Sequence, residues 1–120
     1  MSMNTTSITI KEGRVTIRPV AGNVWLTQHQ IACLFGVFVS AVGSNIRSIL
    51  KNEVLREEEA CRHQQAGNGC MLTLYNLEMI TALAFRLKSR EAQQFRRWII
   101  GQAVHSAVLW KIPGMGAMLN

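Results

Sequence analysis

The side chains of this 120-residue sequence best suited to ligation or nucleophilic work are Cys33, Cys61, Cys70, His29, His63 and His105. Cys61, His63 and Cys70, with His29 further off, supply enough ligand atoms for a zinc ion. Structural zinc sites rest on close pairs such as Cys-x-x-Cys, because one turn of chain must present two ligands at tetrahedral geometry. No such pair occurs. The cysteines therefore read as buried or half-buried thiols, and no metal is expected. Their odd number, behind a beginning (MSMNTTSITIKEG) with no apolar signal core, argues against a disulfide framework. Reduced thiols and a cytoplasmic location are expected.

Acid–base chemistry finds equally little material. All seven acidic residues are Glu, and three of them form the run Glu57-Glu58-Glu59. Paired carboxylates are not expected from that distribution. The sequence has no Gly-x-Ser-x-Gly, no phosphate-cradling loop and no His-Glu-x-x-His. The three histidines are scattered and read as surface or satisfied side chains. The expectation is a non-enzyme with no cofactor and no small-molecule substrate.

The cations are more telling. The net charge is +6, and it is uneven. Residues 1–60 carry six Lys/Arg against five Glu; residues 61–120 carry seven against two. A basic half favours a polyanion, nucleic acid before a membrane surface, or else a solvated face that keeps an apolar domain in solution. No apolar run reaches the ~20 residues of a membrane span, so no membrane is expected as a partner. The densest basic stretch is Arg86-Leu-Lys88-Ser-Arg90-Glu-Ala-Gln-Gln-Phe-Arg96-Arg97. Arg86, Lys88, Arg90 and Arg97 are the candidate phosphate ligands. Structural uses weigh equally: Arg86 and Arg90 at a helix C-terminus, Arg97 paired with Glu91 or lying over apolar surface.

These residues need elements to position them. Residues 7–18 alternate apolar and polar around Glu12-Gly13, which predicts a hairpin closed by Pro19 and a turn at 21–23. Val24 to Leu26 reads as a short extended segment. Thr27 caps a first helix over 28–34, with Ile31, Leu34 and Phe35 inward, and Gly36 turns the chain. A second helix is expected over about 40–52, with Val42, Ile46, Ile49 and Leu50 inward. Ala32, Gly36, Val42 and Ile46 match the small, turning and apolar positions of a helix-turn-helix, the last apolar residue one place late; an ordinary helical hairpin is the alternative. Base-facing residues on the second helix are Ser40, Ser44, Asn45 and Arg47. A second hairpin is expected at about 60–75 with Asn68-Gly69 as a two-residue turn. As a wing it offers Arg62, His63, Gln64 and Asn68. Asn76 caps a third helix to about Leu87, apolar on most sides through Phe85. Ser89 caps a fourth to about Leu109, with Ala92, Phe95, Ile99 and Ala103 inward. Residues 1–110 form one domain; 111–120 form an irregular apolar tail.

Two blocks of residues resemble the RhuM family of bacterial virulence-associated proteins. The first is Val24-Trp25-Leu26-Thr27-Gln28, then Ala32-x-Leu34-Phe35-Gly36, then Asn45-Ile46. The second is Tyr75 to Ile80, Phe85-Arg86-Leu87-x-Ser89, and Gln94 to Trp98. The resemblance implies a DNA-binding group akin to phage antirepressor N-terminal domains. One departure stands out: the family tends to place polar residues, often Arg-Gln-Asn, at the start of the second helix, where this chain has Val39-Ser40-Ala41 behind Val37-Phe38. The expected fold is α+β, a winged-helix-like helix-turn-helix with an N-terminal hairpin, a wing and two C-terminal helices. The expected partner is double-stranded DNA. The alternative is a protein-interaction or dimerisation module, with Val37-Phe38-Val39 and the apolar tail (Trp110, Ile112, Met115, Met118, Leu119) as the seam of a homodimer.

Overall fold

A computed structural model describes residues 8–18 and 24–110, with side chains as far as Val104. The expected turn at 21–23, Pro19 and the tail 111–120 lie outside the described residues.

The alternation of residues 8–17 produces strands β1 (Ile8–Lys11) and β2 (Arg14–Ile17), paired antiparallel from Ile8↔Ile17 to Lys11↔Arg14. Both turn residues have positive φ, Glu12 at 51° and Gly13 at 80°. This is the mirror-image turn whose twist suits a two-residue hairpin. That geometry was expected at Asn68-Gly69, and there it is not found. Strands β4 (Cys61–Gln65) and β5 (Met71–Tyr75) pair with Gln65 opposite Met71, leaving a five-residue loop. Within it only Gly69 has positive φ. Asn68 instead accepts a bond from the Cys70 amide through Oδ1 at 3.0 Å, a use of the side chain that competes with the left-handed turn. Cys61 pairs with Tyr75, far from Cys70.

Strand β3 (Leu26–Thr27) adds to β5, giving the order β3-β5-β4. Local pattern marked this segment as extended; its partner, almost fifty residues on, was not legible. Thr27 then starts α1 (Gln28–Phe35): its hydroxyl accepts from the Gln30 amide at 3.1 Å, and Gln30 Oε1 accepts from the Thr27 amide at 2.8 Å. Two orphan donors are thereby satisfied reciprocally. Gly36 ends α1 at φ 64°. After Gly36-Val37-Phe38 the chain enters α2 (Val39–Lys51), having bent by 114°. The acidic run begins a short α3 (Glu57–Ala60), its carboxylates at the positive helix end. Asn76 caps α4 (Leu77–Ala84) by accepting from the Met79 amide, and its Nδ2 donates to the Glu59 carbonyl at 3.1 Å. Ser89 caps α5 (Arg90–Trp110), accepting from the Ala92 amide at 3.0 Å.

The fold is α+β, with two small sheets and five helices among the described residues. The core gathers Ile31 and Phe35 from α1, Val42, Ile46 and Ile49 from α2, Met79, Ile80 and Leu83 from α4, and Ala92 and Phe95 from α5. Ala32 is buried on α1. Phe35 and Phe95 meet edge to face at 5.6 Å, a favoured aromatic geometry. Two expectations are corrected. Helix α4 stops at Ala84 rather than Leu87, and Phe85 is exposed. Ala103 is exposed, because the last turns of α5 run beyond the body that buries Ala92 and Phe95. No single helix among the described residues is long and apolar enough to cross a membrane.

Candidate nucleic-acid interface

On α2, spacings of four and three place Ser40, Ser44 and Arg47 in one line, and Lys51 continues it. All four are exposed, opposite the buried Val42, Ile46 and Ile49. No acidic residue occurs within α2. Asn45 departs from the expected group. It is half-buried, and its Nδ2 donates to the Ala41 carbonyl one turn back at 2.8 Å.

The mounting of α2 rests on a residue that the sequence reading passed over. Gln28, the first residue of α1, donates from Nε2 to the Val39 carbonyl at 2.9 Å and so ties together the starts of both helices. Gly43 makes room for it, since a Cβ there would lie 2.6 Å from that Nε2. The available signal was a glycine inside an otherwise regular helix, where it costs roughly 1 kcal/mol relative to alanine. Gly43→Ala alone is therefore expected to be near neutral: the helix gain is offset by displacing Gln28 and losing a bond worth about 0.5–1.5 kcal/mol. In a Gln28→Ala background the same change is expected to stabilise by about 0.5–1 kcal/mol. Urea unfolding of the four proteins measures the difference. Equal gains in both backgrounds would show that Gln28 does not occupy that space.

The β4–β5 hairpin stands beside the start of α2. Strand β5, with Thr27, His29 and Val39, lines a groove of about 370 Å³. Arg62 is exposed and lies over the Trp25 ring, 4.4 Å from the centroid, an attractive cation–π placement. In the strand register Gln64 shares its side of the sheet, and it too is exposed. His63 sits on the other side, with Nδ1 3.1 Å from Thr73 Oγ1 and Nε2 3.4 Å from a Glu57 carboxylate oxygen. Asn68 is engaged within the loop. All four wing residues are exposed; Arg62, His63 and Asn68 each have a local partner, and Arg62 and Gln64 share one side of the sheet.

The basic stretch is divided in the same way. Arg96 donates from one terminal nitrogen to the carbonyls of Ala84, at 2.7 Å, and Leu87, at 2.9 Å. It is this arginine, not Arg86 or Arg90, that closes the end of α4, where carbonyls lack helical partners. Arg86 reaches the Ser48 hydroxyl of α2 at 3.1 Å. Lys88, Arg90 and Arg97 are exposed. Arg90 and Arg97, seven residues apart, share one side of α5. Among the described residues no ion pair engages Arg47, Lys51, Arg62, Arg86, Lys88, Arg90 or Arg97. A Cβ on Gly36 would lie 3.2 Å from a Glu91 carboxylate oxygen, so the α4–α5 corner abuts the α1–α2 turn. Lys11 and Arg14, opposite each other beside the first hairpin's turn, are further exposed cations that the sequence reading left out.

No group of three His, Cys, Asp or Glu side chains that could hold a metal occurs among the described residues. Cys33 and Cys70 are exposed, contrary to expectation. Cys61 is half-buried, and burial, then the nearby Glu57 carboxylate, push its thiol pKa up. Since the thiolate is the reactive form, Ellman's reagent at pH 7.5 is expected to find two fast thiols and one slow one. Fast labelling of Cys61, located by mass spectrometry, would contradict this placement. The raised pKa also favours folding while the thiol stays protonated; that contribution is lost as pH rises through and above the ordinary thiol range.

Comparison of the chain with family models, with curated proteins and with solved structures finds no match.

Proposed function

We propose that this protein is a diverged member of the RhuM family and a DNA-binding module of winged-helix type. Helices α1 and α2 are its helix-turn-helix, α2 is the reader and the β4–β5 hairpin is the wing. The single observation that carries this reading is the outer line of α2. Ser40, Ser44, Arg47 and Lys51 project together from a helix whose opposite side is core, across a 114° bend from its neighbour. Two helices crossing at about 90–120° through a short glycine turn are the geometry that lays the second in a major groove. Ser40, Ser44 and Arg47 face bases. Arg86, Lys88, Arg90 and Arg97 hold phosphates, and Arg62 with Gln64 follows the backbone beside the groove. The module acts by binding duplex DNA, without catalysis, cofactor or small-molecule substrate, in the cytoplasm.

Fluorescence anisotropy of a random 20-bp duplex, titrated at several salt concentrations, tests the reading. Four phosphate contacts give a slope of log K against log salt of about −3.6. A chain that fails to bind at 50 mM salt, or binds with no slope, overturns it.

A second reading is favoured by one specific observation. Ile100 and Val104, on the part of α5 beyond the body, are 52% and 56% exposed. Self-association through this helix would make a homodimer, compatible with paired half-sites on DNA. Light scattering at about 100 μM protein is expected to give twice the chain mass, and a monomer would reject it.

A further inference from the structure

We infer that the apolar entry to α2 reads thymine, through the C5-methyl group that this base presents in the major groove, with Phe38 as the reading side chain. The inference rests on the DNA reading above. Phe38 occupies the N-cap position of α2 with an extended backbone and makes no capping bond. It is 82% exposed. Beside the nearby groove, Met71 and Leu72 of β5 are 64% and 41% exposed, and Val39 also lines its wall. A phenyl ring held this far out contributes little to folding. It stands at the end of the reading helix, where side chains meet base edges.

The chemistry of the groove floor then selects the target. Among the four bases only thymine adds a methyl group to the hydrogen-bonding atoms it presents in the major groove. Covering a polar edge with a phenyl ring removes water and returns no hydrogen bond, whereas covering a methyl group removes two apolar surfaces from water together. Charge decides between DNA and a protein partner. The helix that begins at Phe38 carries Arg47 and Lys51, both exposed, and no acidic residue. Those cations, on a chain of net charge +6, attract a polyanion.

The test compares 20-bp duplexes at one salt concentration, using the full chain. One is A·T-rich with thymine, one is the same sequence with uracil in place of thymine, one is G·C-rich, and the last carries 5-methylcytosine in the G·C sequence. Uracil keeps every hydrogen-bonding edge and lacks the methyl group. Binding is expected to weaken about fourfold for each methyl group removed from beneath Phe38. Phe38→Ala, confirmed folded by circular dichroism, is expected to bind the thymine and uracil duplexes equally. A gain with 5-methylcytosine would show that the methyl group itself is sensed; no gain there, with the uracil loss intact, confines the site to thymine. Equal affinity of the unaltered chain for thymine and uracil duplexes overturns the inference while leaving DNA binding in place. Absence of binding to every duplex overturns both. If Phe38→Ala abolishes self-association and the unaltered chain shows no uracil effect, the ring belongs to a contact between copies and the inference fails.

Discussion

Alanine at Arg86, Arg90 and Arg97 together is expected to weaken binding to random duplex DNA by about two to three orders of magnitude at ~0.1 M salt. The slope of log K against log salt should flatten by about three, roughly one per lost phosphate contact. The reasoning is electrostatic. Each cation that neutralises a phosphate releases a condensed counterion, so its worth grows as salt falls. These three side chains are suited to the role because none is ion-paired among the described residues. Of the three, only Arg86 has a hydrogen-bond partner among the described residues, the Ser48 hydroxyl, and that bond lies at the surface. The variant should therefore stay folded. Arg96 is left intact because its bonds to the Ala84 and Leu87 carbonyls hold the α4–α5 corner. Removing it would confuse lost folding with lost binding. An unchanged slope in the triple variant would place the duplex elsewhere on the protein.

Phe95→Ala carries the largest expected effect on stability. Phe95 is fully buried and packs its ring against Phe35 and Trp98. Truncating a buried phenylalanine costs about 3–5 kcal/mol, part transfer free energy and part cavity. For a chain of this size that corresponds to roughly 10–20 °C in Tm. Phe95 and Phe35 join α5 to α1. Phe38→Ala is the matched control: an exposed ring whose removal should change stability by no more than about 0.5 kcal/mol. Thermal melts followed by circular dichroism compare the two. A Phe95→Ala protein within about 1 kcal/mol of the unaltered chain would contradict the packing.

Local signals in the sequence were strong where one residue had one dominant use. Thr27, Gly36, Asn76 and Ser89 were legible as caps and a turn because each satisfies or terminates a helix through its own chemistry. The buried stripe of α2 was legible from spacing alone. What escaped was non-local. Strand β3 depends on a partner far along the chain, and Gly43 depends on a side chain from another helix. Arg96 shows the limit most clearly. It sits in a run with four other cations, and nothing in its neighbours distinguishes the one that turns inward to carbonyls. Asn68-Gly69 misled because Asn has two competing uses in turns, positive φ and a side-chain bond to the backbone, and here the second prevails. On α2, type and spacing marked Ser40, Ser44 and Arg47 as one exposed line, and they are exposed. Asn45 is of the same polar type, and its bond to the Ala41 carbonyl sets it apart.

Mapping of backbone amide chemical shifts by NMR, as duplex DNA is added, addresses the central claim most directly. The account predicts perturbations gathered on residues 38–47 of α2, on 62–64 of the hairpin and on 86–90 at the α4–α5 corner, fading as salt is raised. Perturbations confined to the outer half of α5 or to the α3 region, with the α2 amides unmoved, would contradict it.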